Sequence, residues 1–310
     1  MRVKFSFSSR KTRKIDSHNK HRQEYPSLAR EVISSSDIIL QILDARFVQE
    51  TRNFKMEEYA REHGKILIYI LNKADLIDHV KMEQSGELKD LPHYIFVSCK
   101  RHQGRRELRQ EIKMQAKNFK RAKRNSEKTK EEIDSEDHLD IHKHGVGYKK
   151  FFKTGNEVHV GVIGYPNVGK SSIINMLTGK GSARTSPKAG FTRGIQKVKL
   201  ADGIMLLDTP GVMSDEDAAA SQQAHLKKHA MIGVRTYDST KNPEFVVAEI
   251  MADNPGLFEY YYHIEAEGDA EVLLLELGRK RNFLIKGGNI DMDRTARLVL
   301  RDWQSGKIRK

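Results

Sequence analysis

The chain has 310 residues, 38% hydrophobic and 31% charged, with 55 Lys+Arg against 42 Asp+Glu and a formal net charge of +13. That length suits about two domains, and the apolar fraction suffices for a core. No apolar run approaches the roughly 20 residues of a bilayer-spanning helix, and the single cysteine, Cys99, excludes an intramolecular disulfide and a cysteine zinc cluster.

The positive charge is concentrated. Residues 1–30 hold nine Lys/Arg and two acids, residues 101–124 ten and two, and residues 279–310 ten and three, so the remainder is net negative. Three basic stretches on an acidic remainder point to a polyanionic partner, RNA rather than DNA or a membrane. Residues 1–24 read as a basic arm. A cytoplasmic, reducing compartment is expected, with an organelle matrix as the alternative if residues 1–22 are a transit peptide.

In chain order, apolar runs at 38–43, 66–71 and 94–97 predict buried strands, with a helix at about 53–62 between the first two. A helix follows at 105–120, with Leu108, Ile112, Ala116 and Phe119 on one face. Residues 121–152 lose apolar periodicity and predict a charged linker. Its His138, His142 and His144 lack the cysteines or firm helix that would support a metal site. Strands resume at 158–163, 195–200 and 204–207. Beyond about 214 the signals are helical: a start at Asn242-Pro243-Glu244 with Asn242 as cap, a helix at 270–281, and a last one at 291–304. That last helix places Ala296, Val299, Leu300 and Trp303 on one face and Arg294, Arg297 and Arg301 on another, a stripe free to meet phosphate. Near-continuous apolar strands alternating with helices predict an α/β fold with a mostly parallel sheet covered on both faces. The expected layout is a nucleotide-binding domain at 25–220 and a helical RNA-binding domain at 221–310.

The strongest motif is Gly164-Tyr165-Pro166-Asn167-Val168-Gly169-Lys170-Ser171, which fits G-x-x-x-x-G-K-[ST] between a strand and a helix. Its amides from Asn167, Val168 and Gly169 through Ser172 would cradle phosphates, Lys170 would charge-pair with them, and the Ser171 hydroxyl would ligate Mg²⁺. Asp208-Thr209-Pro210-Gly211 ends a strand downstream. Asp208 is a candidate Mg²⁺ holder, and the Gly211 amide a sensor of the γ-phosphate. Thr192, in Gly190-Phe191-Thr192-Arg193, is the candidate second Mg²⁺ ligand from a switch loop.

Asn72-Lys73-Ala74-Asp75 follows another strand. A carboxylate at Asp75 can accept from guanine N1–H and N2–H₂, a donor pair adenine lacks, so it selects GTP and GDP. Asn72 would bond N7 and brace the loops, the Lys73 stem would cover the base, and Ser98-Cys99-Lys100 would offer an amide to guanine O6. Together these sequences form the G-motif set of a P-loop GTPase, in rearranged order. The usual order runs phosphate loop, switch Thr, Asp-x-x-Gly, Asn-Lys-x-Asp, Ser-Ala-Lys; here the last two come first, which defines a circular permutation.

In that order, and in Asp44-Ala45-Arg46, Arg52-Asn53, Arg279-Lys280-Arg281, Gly287-Gly288 and the segment from Asp302 to Lys307, the chain resembles the circularly permuted YlqF-type ribosome-assembly GTPases. Cys99 stands where that pattern has a small Ala. The resemblance implies a monomeric GTPase acting through ribosomal RNA or a large-subunit precursor. Rival readings are a GTPase of tRNA metabolism or translation, and an RNA-binding scaffold with a vestigial nucleotide site. Val212 stands where Ras-like enzymes carry a water-orienting Gln, so intrinsic hydrolysis is expected to be slow, with stimulation by ribosomal particles. In loops of this form an Asn at the position of Asn167 helps hold K⁺; the plainer alternative is a loop-bracing hydrogen bond.

Overall fold

The computed structural model describes residues 28–133, 157–179, 196–208, 231–233 and 237–309. The first of these, 28–35, form helix α1, which buries Ala29 and Ile33. Six strands follow: β1 (Ile38–Asp44), β2 (Ile66–Asn72), β3 (Tyr94–Val97), β4 (Val158–Gly164), β5 (Gln196–Ala201) and β6 (Ile204–Asp208). Every residue of β1 and β4 is buried. That is why their runs read as continuously apolar: both faces of a central parallel strand are covered.

The strands form one sheet in the order β3-β2-β1-β4-β6-β5. All pairs are parallel except the hairpin of β5 with β6. The register aligns Asp44 with Asn72, Asn72 with Val97, Ile42 with Gly164 and Val162 with Asp208. The carboxyl ends of five strands therefore lie along one edge, where open α/β sheets place their ligands.

The helices between the strands are α2 (Val48–Thr51), α3 (Phe54–Glu62), α4 (His79–Ser85), α5 (Arg105–Ile133) and α6 (Lys170–Thr178). Asn53 caps α3 by accepting from the Met56 amide. α5 buries Leu108, Ile112 and Ala116 against the sheet, with Phe119 packed beside them. It runs on to Ile133, so the linker expected from 121 is helical over its first thirteen residues. Residues 121–133 lack an apolar stripe but consist mainly of Ala, Lys, Arg and Glu, whose intrinsic helix propensity sustains an exposed helix without one. The remainder of that stretch, with its three histidines, and the arm at 1–24 lie outside the described residues.

Four C-terminal helices complete the fold: α7 (Pro243–Ala252), α8 (Leu257–Tyr262), α9 (Ala270–Arg281) and α10 (Met292–Gln304). Val247, Ile250, Phe258, Leu274, Ala296, Leu300 and Trp303 join the hydrophobic cluster that contains the sheet residues Leu40, Val160 and Leu206. Asp269 and Asp291 cap α9 and α10 through their side chains. Asn242 does not cap α7 in that way: it stands at φ 49° with no side-chain cap bond, and the helix starts instead on the fixed φ of Pro243.

On α10, Ala296, Val299, Leu300 and Trp303 are buried as predicted. The arginine stripe differs from expectation. Arg297 donates to the carbonyls of Tyr237 and Asp238 at 2.8 Å and pairs with Asp293 at 2.6 Å, so it ties α10 to the Tyr237–Ser239 turn that precedes α7. Arg294 lies 4.1 Å from the Phe283 ring centroid, and Arg301 is within 3.6 Å of Asp302. Backbone carbonyls left open by a tight turn compete successfully with solvent for a guanidinium fork.

Candidate nucleotide-binding site

At the carboxyl edge of the sheet, an open cleft of about 750 Å³ is lined by Asn72, Lys73, Asp75, Cys99, Lys100 and, across from them, Asn167, Gly169 and Ser172. The two halves of the motif set, nearly 100 residues apart in sequence, thus face one cavity.

The phosphate-binding half turns sharply out of β4. Gly164 has φ 151°, and a Cβ there would lie 2.5 Å from the Ile42 carbonyl. Gly169 has φ 102°, and a Cβ would lie 2.2 Å from Asn72 Nδ2. Both positions exclude any side chain. Lys170, the first residue of α6, is 7% exposed and donates to the carbonyls of Gly164 at 3.0 Å and Tyr165 at 2.8 Å. Burial pushes its ammonium down from 10.5 to about 8, with Asp208 offsetting part of the effect. A buried ammonium held by neutral carbonyls at a helix N-terminus is charge waiting for an anion. Ser171 Oγ lies 3.2 Å from Asp208 Oδ2, a pair of hard oxygen donors that suits Mg²⁺. Thr192, Gly211 and Val212 lie outside the described residues.

The base-reading half is braced onto the phosphate loop. Asn72 Nδ2 donates to the Val168 carbonyl at 2.7 Å, and its Oδ1 accepts from the Cys99 amide at 3.4 Å. These two bonds make Asn72 a brace between the base-reading and phosphate-binding loops. Ser98 is fully buried, and its Oγ donates to Asp75 Oδ1 at 2.7 Å, fixing the carboxylate at the cleft wall. Lys73 adopts φ 63°, and its Nζ donates to Asp44 Oδ2 at 2.7 Å, which holds its stem along the cleft. Burial and nearby Asp75 push the Cys99 thiol up to about 12, so it stays protonated and unreactive at neutral pH. Asn167, at φ 61°, donates from Nδ2 to the Gly233 carbonyl at 2.7 Å. The loop-bracing role is thus realised, and the amide oxygen, the atom a cation would need, is not used in that bond.

Residues that the motifs did not single out also reach the cleft. His102, Arg105, Asn175, Gln304 and Ser305 line it. Gln304 and Ser305 come from the end of α10, and nothing in the local sequence marks them as neighbours of Lys73. Behind the sheet, Glu57 is fully buried among Arg52 at 2.7 Å, Tyr69 at 2.8 Å and Gln41 at 3.0 Å. Burial alone would raise its carboxyl, but the bonds from Arg52 and Tyr69 reverse that and lower it. This cluster anchors α3 and the Arg52–Asn53 turn to β1 and β2. Among the described residues no group of His, Cys, Asp and Glu has metal-site spacing, and no helix is long and apolar enough to cross a membrane.

Comparisons with known proteins agree with this geometry. Residues 159–257 match the family described as 50S ribosome-binding GTPase. The chain is 35% identical over 288 residues to the GTP-binding protein MJ1464 of Methanocaldococcus jannaschii, covering 91% of this chain and 65% of that protein. It is 33% identical over 280 residues to nucleolar GTP-binding protein 2 of Neurospora crassa, covering 89% and 40% respectively. Against the nuclear GTP-binding protein NUG1 of Saccharomyces cerevisiae it is 29% identical over 309 residues, covering 93% and 56%. The chain thus spans less than two thirds of the length of each of these relatives. Among solved structures, GNP-bound YlqF from T. maritima superposes with a TM-score of 0.57 at 20% identity, covering 92% of this chain and 94% of that one. In fold the chain is similar to YlqF, and in sequence it is similar to the GTP-binding protein MJ1464 and to nucleolar GTP-binding proteins.

Proposed function

We propose that the chain binds GTP and GDP with Mg²⁺, hydrolyses GTP slowly, and uses the exchange as a switch in ribosome assembly on a large-subunit precursor. One observation carries this reading: Asn72, Asp75 and Cys99 of the base-reading segments and Asn167, Gly169 and Ser172 of the phosphate loop line a single cleft at the strand carboxyl ends, with Lys170 and the Ser171–Asp208 pair held in that same loop region. Lys170, Asn167 and the amides through Ser172 would hold the phosphates, and Ser171 and Asp208 the Mg²⁺. Asp75 and the Cys99–Lys100 backbone would read guanine. Thr192 and Gly211 would complete the site around the γ-phosphate. Bound K⁺ beside Asn167 would add positive charge where it develops in the transition state. The family description and the names of the nucleolar relatives support the ribosomal setting.

The basic surface best placed for ribosomal RNA is on α5. Lys113, Lys117, Lys120, Arg121 and Arg124 line one open groove of about 800 Å³ beside the β5–β6 turn. Their i, i+3, i+4 and i+7 spacing puts them on one face of the helix, alongside Ala116, which lines the same groove. This face outranks the α10 stripe because Arg297 there is already committed to backbone carbonyls.

The base assignment is tested with Asp75→Asn. The substitution should weaken GTP binding by about 2 kcal/mol, a roughly thirtyfold change, and relatively favour xanthosine triphosphate; an unchanged GTP affinity in an equilibrium titration sinks it. Co-sedimentation with separated ribosomal subunits, with GDP or a non-hydrolysable GTP analogue bound, tests the ribosomal setting. Binding that ignores the nucleotide would reject the switch.

A further inference from the structure

Asp44, at the end of β1, does more than pin Lys73: it is fully buried and takes up three polar side-chain contacts. Arg46 donates to it from Nε at 3.0 Å and Nη2 at 2.8 Å, and Lys73 donates from Nζ at 2.7 Å. Burial alone would raise the Asp44 carboxyl, but Lys73 and Arg46 overcome this and hold it well below the usual carboxylate range. The third guanidinium nitrogen of Arg46 reaches across to α10 and donates to the Trp303 carbonyl at 3.0 Å. Arg46 therefore spans from the base-covering lysine to the last turn of the C-terminal helix.

Trp303 has a second connection. Its indole Nε1 donates to the Met231 carbonyl at 3.3 Å, and two residues on, the Gly233 carbonyl accepts from Asn167 of the phosphate loop. The ring itself is 3% exposed, packed 5.5 Å from Phe258 and 6.0 Å from Phe47. Just beyond it, Gln304 and Ser305 line the nucleotide cleft, and Gly306 fits at φ 72° only because it has no Cβ to strike Leu76. One residue, the only tryptophan in the chain, thus touches a route to each end of the nucleotide site, through its carbonyl and through its indole.

We propose that Asp44 and Arg46 are positioning residues that couple occupation of the base pocket to the docking of α10 on the sheet, with Trp303 as the joint. The inference rests on the reading of the cleft as a guanine-nucleotide site. A base entering under the Lys73 stem favours the arrangement in which Lys73 is pinned by Asp44. That arrangement is the one in which Arg46 is oriented towards the Trp303 carbonyl. By linkage, whatever displaces α10, such as a partner binding the helical region, weakens nucleotide binding by the same factor. Arg46 is suited to this because its planar fork serves two acceptors at once, which an ammonium cannot do.

The test uses Trp303 as an intrinsic probe in the full chain. GDP binding is measured by calorimetry and, separately, Trp303 emission is followed during a GDP titration. In the wild type the emission should change with the calorimetric midpoint. Arg46→Ala should lower GDP affinity about tenfold, within the usual range of coupling factors, and should abolish the emission change at saturation. A purely structural brace would lower the melting temperature and leave both readouts in place, which overturns the proposal. Arg46→Lys, which keeps a charge on Asp44, serves if the alanine variant does not fold; it should retain GDP binding and lose most of the emission change. Wild-type protein that binds GDP with no change in Trp303 emission also overturns the coupling. No calorimetric binding of GDP to the wild type overturns the reading of the cleft itself.

Discussion

Lys170 gives the sharpest pH prediction. Its ammonium is 7% exposed, bonded to two neutral carbonyls, and lowered by burial from 10.5 to about 8. At about 1.4 kcal/mol per pK unit, keeping it charged costs the nucleotide-free fold about 3 kcal/mol at neutral pH. The folded chain binds fewer protons than the unfolded chain between about pH 8 and 10.5, so apo stability should rise with pH across that window, and the penalty is fully present below it. Bound phosphates reverse the balance by holding the ammonium charged. GDP affinity should then fall about tenfold from pH 7 to pH 9, with proton uptake on binding at the alkaline end. Calorimetry in buffers of different ionisation enthalpy measures both quantities. Keeping below about pH 9 leaves guanine N1–H in place, so the loss belongs to the lysine. A flat affinity over this range, or apo stability that rises no more than that of Lys170→Met between pH 8 and 10, refutes the argument.

Cys99, as the sole cysteine, reports on the base pocket: alkylation at pH 8 should be slow because its pKa is pushed up to about 12, and GDP should slow it further. Fast labelling that GDP does not affect would remove Cys99 from the pocket wall. Arg52→Met leaves the buried Glu57 without its main partner and should destabilise the fold by about 3–5 kcal/mol in urea unfolding, with GDP affinity at saturating folding conditions retained. Replacing Lys117, Lys120 and Arg121 with Gln should flatten the salt dependence of ribosomal-subunit binding by roughly 0.7–0.9 per lost phosphate contact, while Arg297→Gln should lower stability and leave that slope alone; equal slopes for wild type and triple variant reject the α5 surface. GTP hydrolysis should be faster in K⁺ than in Na⁺, and Asn167→Ala should remove the difference; equal rates in both salts leave Asn167 as the brace to Gly233 only.

Most strands were legible as near-continuous apolar runs and β5 (Gln196–Ala201) as an alternating one, and observed boundaries differ from the expected ones by a residue or so, as at Ile38–Asp44 against 38–43. The helix Ala270–Arg281 was legible from its apolar spacing and Asp269 cap. What escaped has other causes. α4 buries none of its residues fully; it is held by the Asp78 cap, by Met82 packed at the edge of the core and by His79 stacked on Phe96, too few contacts to leave an apolar period. The far half of α5 depends on propensity rather than burial. α1 did leave a signal, Ala29, Val32 and Ile33 at i, i+3 and i+4, hidden beside the basic arm. The motif residues of the site were readable because backbone geometry and phosphate chemistry restrict those positions. The contacts of Arg46, Gln304 and Arg297 were not, since each joins residues more than 50 positions apart and no local pattern encodes such a pair.

The permutation gives these long-range contacts their purpose. On the proposed reading, residues 28–133 carry the base-reading segments and residues 157–179 and 196–208 the phosphate-binding ones, so the site is built from both. The halves meet at β1 and β4, whose register from Ile38 opposite Val160 to Ile42 opposite Gly164 sets the height of one half against the other. Asn72 repeats the join above the sheet by bonding the Val168 carbonyl. In the unpermuted order the base-reading segments follow the phosphate-binding ones. Here the chain leaves β6 at Asp208, whose carboxylate meets Ser171 of the phosphate loop, and α10 brings Gln304 and Ser305 to the cleft beside Lys73 and Leu76. The C-terminal helices are held on that side by Arg46 and the Gly306 turn. On the proposed reading the Asp208 end and the Lys73 end of this region meet opposite ends of one ligand, so a change at either end is a change in the footing of the same helices.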